Sequence, residues 1–295
     1  MSGIPERKRV AVVTGASSGM GLVTAKALAA RGWHVIAHGR DPARSAKAEV
    51  ALRASAGANS LLGFIRADLA LMAEADDAAL QIEQLTGHVD VLINNAGGVA
   101  NALKISPEGN EATFAGNHLG HFLLTNRLLP LMHAAAANSE AGSTRVINVA
   151  SSAHEFTPGL DWDDLQSTKA FDPNKAYCRA KLANVLFTKA LAQRLSRTGI
   201  VAHAMHPGTV DTGFFSHGDD YMQEFGRTNP LATAQDGADT IIWLATSKEA
   251  AACSGEYWHE RRIIPTSAFA QDEQAANRLW HESELLIASS LQGCR

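Results

Sequence analysis

The sequence predicts an α/β fold: a single doubly wound domain whose seven-stranded, mostly parallel sheet carries helices on both faces. Three observations predict it. Short, near-continuous apolar runs alternate with longer segments of helical period almost from end to end, the pattern of parallel strands buried on both sides. The 295 residues, 46% of them hydrophobic, suffice for one large core. Glycines 15, 19 and 21 cluster just after the first apolar run, and an open α/β sheet binds ligands at such strand ends.

Strands are expected over residues 9–14, 34–39, 60–67, 89–94, 144–150, 200–206 and 256–258. Helices are expected over 20–32, 42–56, 70–86, 108–138, 173–198 and 233–247. Beyond this alternation there is no internal repeat and no low-complexity segment. Residues 1–7 read as a polar lead, 8–270 as the catalytic domain and 271–295 as a helical tail packed on it. Two regions break the pattern. Residues 152–175, with Pro158, Gly159 and Pro173, form a long excursion. Residues 209–232 interleave Gly213, Gly218, Gly226 and Pro230 with Phe214, Phe215, Tyr221, Met222 and Phe225. Long loops in compact domains are usually functional, so this stretch is expected to be a lid over an apolar ligand.

Composition excludes several classes. A net charge of −4 with no Lys/Arg block argues against a nucleic-acid partner. No apolar run reaches the ~18 residues of a membrane span. Cys178, Cys253 and Cys294 are too sparse for a disulfide framework or zinc cluster. The expectation is a cytoplasmic protein without a metal. His118 and His121, three apart on a helix, lack an acidic or cysteine partner and read as packing or hydrogen-bonding residues. His203 and His206 fall on opposite faces of one strand. Cys178 lies too far round its helix from Tyr177 to share its face, and Trp258 and Trp280 read as core.

Two motifs carry chemistry. Thr14-Gly15-Ala16-Ser17-Ser18-Gly19-Met20-Gly21 joins a strand to a helix. Gly15 suits the tight turn, Gly19 lets backbone approach a diphosphate, and Gly21 lets helix pack on strand. The helix start adds unpaired N–H groups for the anion. Tyr177 and Lys181 stand four apart, on one helical face. A free phenol has a pKa near ~10, and a fixed ammonium beside it is expected to make it more acidic.

The spacing G-x-x-x-G-x-G, with Asn94-Asn95-Ala96-Gly97, Asn117, Ser151, Tyr177/Lys181 and Pro207-Gly208, resembles the short-chain dehydrogenase/reductase superfamily over residues 8–292. That resemblance implies a Rossmann-type fold. A narrower resemblance rests on residues 117–125, 150–154, 255–258 and the tail through Trp280. It is similar to the retinol-dehydrogenase-like branch, to which WW-domain oxidoreductases and protochlorophyllide reductases are related. Several retinol dehydrogenases carry a hydrophobic N-terminal anchor that this sequence does not show, so retinoid is not the named substrate.

The resemblance implies that Ser151 holds the substrate oxygen and Tyr177 trades the proton. Lys181 would bind the nicotinamide ribose and acidify Tyr177, while Asn117 supports a water relay. Ser151 and Tyr177 together form a small oxyanion site. Gly15, Ser17, Ser18, Gly19, Met20, Gly21, Asn95, Ala96 and Gly97 would line the cofactor. Asp68 and Leu69 would bracket the adenine, and Pro207, Gly208, Val210 and Thr212 would hold the carboxamide. An acid at position 39 would repel a 2′-phosphate; Gly39 is neutral and Arg40 follows, a group well shaped for phosphate. NADP(H) is favoured, with NAD(H) left open.

The expected activity is interconversion of a carbonyl and an alcohol on an apolar or bulky small molecule. The alternatives are carbon–carbon double-bond reduction on the same scaffold and a non-catalytic NADP(H)-binding sensor. Family members assemble as homodimers or homotetramers through their two long helices, and the tail could add to or block those contacts.

Overall fold

Because successive strand residues point to opposite faces, the apolar runs feed two separate packing layers. The computed structural model describes residues 7–57, 60–211 and 220–292, with the side chains of 220, 221, 222 and 225 also outside the described set. The strands are β1 (Val10–Val13), β2 (His34–Gly39), β3 (Leu62–Arg66), β4 (Val91–Asn94), β5 (Thr144–Val149), β6 (Ile200–Met205), β7 (Tyr257–His259) and β8 (Arg262–Ile263). The helices are α1 (Gly19–Ala30), α2 (Pro42–Ser55), α3 (Met72–Leu85), α4 (Ala112–Phe114), α5 (Gly120–Ala136), α6 (Pro173–Arg194), α7 (Asp220–Thr228), α8 (Ala234–Thr246) and α9 (Glu273–Gln292).

One sheet runs β3-β2-β1-β4-β5-β6-β7-β8, parallel except for the β7–β8 pair. Val10, Val12, Leu92, Val146 and Ala204 pack against α3, α5, α6 and α9. Ala11, Val13, Val91, Ile93, Ile147 and Met205 pack against α1, α2 and α8. The chain travels outward from β1 to β3 and returns on the other side at β4. Connections therefore diverge at the β1/β4 ends and open a crevice there.

Three local features differ from expectation. An eighth strand follows a tight hairpin with Glu260 at φ 47° and Arg261 at φ 61°. Such turns demand positive φ at both central residues, and here the Arg261 guanidinium clasps the Asp239 carboxylate. The helix expected over 108–138 is divided. Glu111 accepts the Thr113 and Phe114 N–H groups, each at 2.8 Å, and starts α4. Ala115–Leu119 then widen into a π-helical turn before α5. Glu108 instead accepts the Met72 and Ala73 N–H groups, capping α3. Finally, α7 forms within the expected lid, whose ends meet through a Val210–Ala232 bridge. Thr212, Gly213, Phe214, Phe215, Gly218 and Cys294 lie outside the described residues, as do the side chains of Tyr221, Met222 and Phe225.

The tail helix α9 covers α5 and α6. Trp280 lies 4.7 Å from Phe122 and 5.8 Å from Phe187, ring to ring. Arg194 stacks over it at 4.0 Å, and Ser283 meets His118 at 2.8 Å. The tail thus covers part of α6 from within the chain. Among the described residues no helix is long and apolar enough to cross a membrane.

Candidate active site

The glycine turn leaves β1 with Gly15 at φ 68° and Gly19 at φ 52°, left-handed values that tolerate a side chain poorly. A Cβ on Gly21 would stand 2.4 Å from the Gly15 carbonyl oxygen, so α1 begins hard against the turn. Ser18 caps α1 without a side-chain hydrogen bond, and no acid sits in the first turn. Backbone N–H groups are therefore offered to an anion. Met20 and Val210 close against Gly237, which joins the turn to the segment after β6. A dinucleotide diphosphate fits this backbone cradle.

Thr14 fastens the turn to the segment after β4. Its hydroxyl accepts the Asn95 and Ala96 N–H groups, both at 2.9 Å, and its carbonyl accepts the Asn95 amide at 2.9 Å. The Asn95 side chain is thus a strut within the fold. Asn117 sits in the π turn, a feature frequent at functional sites. Its amide donates to the Gly98 and Thr113 carbonyls at 2.8 and 2.7 Å. A Cβ on Gly97 would lie 2.6 Å from Asn117 Oδ1 and 3.4 Å from Lys181 Nζ. Gly97 is the narrow contact between these two groups.

The start of α6 is fixed by Pro173 and by Asp172, whose carboxylate accepts the Lys175 N–H at 2.8 Å. Tyr177 therefore falls one turn into the helix and Lys181 one turn further. Ser151 follows β5, where its hydroxyl accepts the Ala153 N–H at 3.1 Å and hydrogen-bonds Tyr177. Ser152 is exposed. Lys181 is buried and donates to the Val149 carbonyl at 3.0 Å. Its Nζ is 5.6 Å from the Tyr177 ring centre. Asn117 and Lys181 thus meet beside Gly97, and Lys181 in turn adjoins the Ser151–Tyr177 pair.

The electrostatics differ from the expected acidified phenol. Burial raises Tyr177 above its ordinary value, and the bond to Ser151 only partly offsets this. Burial lowers Lys181 to about 8. Desolvation is the largest cause for each group, so in this chain the phenol is held protonated. Burial also lifts Cys178 to about 11, leaving a thiol at neutral pH. His118 and His121 are lowered to about 3 by burial and stay neutral.

The remaining predicted residues are more dispersed. Arg40 is exposed and pairs with Asp68 at 3.3 Å. Asp41 caps α2 through the Arg44 N–H at 2.7 Å. A Cβ at Gly39 would lie 2.8 Å from Ser17 and Ser45 atoms, so no acidic side chain has room there. The Leu69 side chain is buried, and its carbonyl lies close against Gly120. Gly208 takes φ 81°, and its N–H donates to His206 at 3.2 Å. Pro207 and Gly208 line a cleft of about 610 Å³ with His259, Asp236 and Arg261. Sequence reasoning gave no part to the Thr14 side chain, although it directly precedes the turn.

The model of the short chain dehydrogenase family matches residues 9–220. Human retinol dehydrogenase 13 is 35% identical over 287 residues, covering 95% of this chain and 84% of that protein. Among solved structures, an uncharacterised protein from Mycobacterium paratuberculosis is similar at TM-score 0.74 and 33% identity, covering 95% of this chain and 93% of its own. The Pseudomonas aeruginosa RhlG/NADP active-site complex follows at TM-score 0.66 and 26% identity, covering 89% and 96%. The chain belongs to the short-chain dehydrogenase family and is an oxidoreductase acting on an alcohol or carbonyl of a small molecule. Within the family it falls in the retinol-dehydrogenase-like branch.

Proposed function

We propose that the protein is an NADP(H)-dependent reductase that interconverts a carbonyl and an alcohol on an apolar or bulky small molecule. The observation that carries this reading is the hydrogen-bonded Ser151–Tyr177 pair at the end of β5, with Lys181 one turn behind it. Ser151 orients the substrate oxygen. Tyr177, protonated at neutral pH, donates to that oxygen as negative charge develops. Lys181 and Asn117, on either side of Gly97, lead towards proton resupply. Bound cofactor supplies the hydride, while the protein positions the partners. The glycine turn with Ser17, Ser18 and Met20, the Asn95–Gly97 segment and the segment from Pro207 to Val210 would hold the cofactor, with Thr212 two positions further along the sequence.

Arg40 supports a 2′-phosphate, as does the lack of room for an acid at Gly39. The NADP complex of the structural neighbour points the same way. The retinol dehydrogenases among the relatives support a bulky apolar substrate. The test is product analysis with 4-deuterated NADPH and a panel of apolar ketones and aldehydes. Deuterium on a carbinol carbon is the expected result. Deuterium on the β-carbon of α,β-unsaturated members of the panel, with the carbonyl intact, would identify a double-bond reductase, and NADPH binding without turnover would identify a sensor.

A further inference from the structure

We propose that His121 is a positioning residue that ties the Asn117 turn to the cofactor end of β1, so that cofactor cradle and proton-relay region keep one geometry. The inference rests on the role proposed for Asn117. His121 is buried in the first turn of α5. Its Nδ1 lies 3.1 Å from the Asn117 carbonyl oxygen. A carbonyl can only accept, so Nδ1 carries the ring proton and Nε2 is left as an acceptor. Nε2 stands 2.9 Å from the Thr14 hydroxyl, which donates its single proton there rather than to the Ile93 carbonyl at 3.3 Å. The two lone pairs of Thr14 accept the Asn95 and Ala96 N–H groups. Every donor and acceptor of the Thr14 hydroxyl and the His121 ring is matched.

The path is therefore continuous from glycine turn, through Thr14 and His121, to the π turn that holds Asn117 against Gly97. A protonated ring would aim a third donor at Thr14, which has lone pairs for two. Both this network and burial keep the imidazole neutral. The ring acts by geometry, and a leucine of similar bulk could satisfy neither end.

The test uses full-length protein with His121→Phe, His121→Asn and His121→Gln. NADPH titration by fluorescence reads the Thr14 end, and kcat with its pH profile reads the Asn117 end. His121→Phe is expected to weaken NADPH binding about three- to tenfold, as for one lost hydrogen bond. It should also lower kcat by about tenfold or more through misplacement of the relay. The Asn amide stands near the Nδ1 position and should restore more of kcat than of affinity. The Gln amide reaches the Nε2 position and should restore the reverse. If His121→Phe folds poorly, His121→Leu, which likewise satisfies neither end, reads the same two losses.

Wild-type affinity and kcat in His121→Phe would overturn the proposal. So would equal losses in all three variants that merely follow their melting temperatures. The affinity arm is independent of Tyr177, so retained turnover in Tyr177→Phe would sink the catalytic reading without deciding this one.

Discussion

Gly21→Ala places one methyl group where the fold has none to spare. The new Cβ would lie 2.4 Å from the Gly15 carbonyl oxygen and 2.6 Å from Asn95 Nδ2, about 1 Å inside ordinary contact. Neither neighbour can yield cheaply: one is backbone of the turn, and the other is bonded to Thr14. Overpacking of this kind costs about 1–3 kcal/mol, which corresponds to a melting point lower by roughly 2–10 °C. The turn must shift, and the N–H groups proposed to hold a diphosphate shift with it, so NADPH affinity should fall by more than tenfold, on the order of two lost hydrogen bonds.

Gly32→Ala is the control, because its φ of +84° imposes strain while nothing lies within 4 Å of the new Cβ. That strain costs about 1–2 kcal/mol but lies away from the turn. It should lower the melting point and leave NADPH affinity intact. Fluorescence titration and thermal melting of both variants decide the matter. Wild-type affinity in Gly21→Ala, or an equal loss in Gly32→Ala, would refute the argument that backbone contact at the turn sets binding.

Other outcomes follow from the same geometry. Trp280→Ala should cost about 3–5 kcal/mol in denaturant melts, since the ring joins Phe122, Phe187 and Arg194; a loss below about 1 kcal/mol would show that α9 is a loose appendage. Lys181 titrates near 8 in the fold against 10.5 ordinarily, so the unfolded chain holds more protons between those values and stability rises with pH there. Lys181→Met should therefore be more stable than wild type at pH 7, with the gain shrinking from pH 8 towards 10.5; a pH-independent difference would contradict the assignment. Arg40→Ala should weaken NADPH by about tenfold, as for a charge-assisted bond, with little effect on NADH; equal effects would remove Arg40 from the 2′-phosphate site.

Much of this fold was legible because its signals are local. The apolar runs marked seven strands, Pro173 marked the start of α6, and the glycine spacing marked the turn. Within the site, the four-residue spacing placed Tyr177 and Lys181 on one face, and Ser151 came from the family resemblance. Features decided by distant partners were not legible. The hairpin before β8 depends on Arg261 reaching Asp239, with no glycine to announce it. The π turn depends on Glu111 starting the helix late and on Asn117 reaching Gly98. His121 read as a packing or hydrogen-bonding residue, but its partner Thr14, 107 positions away, could not be named from spacing. Spacing shows that Lys181 stands beside Tyr177 but not the burial that raises the phenol.

The most direct test of the central claim is the NADPH-dependent carbonyl reduction rate of Tyr177→Phe, measured beside its NADPH affinity. Removing a positioned proton donor should cost about 10²–10⁴-fold in kcat, with affinity close to wild type. Retention of most of the turnover at unchanged affinity would mean that the proton comes from elsewhere, and the Ser151–Tyr177 account would be wrong.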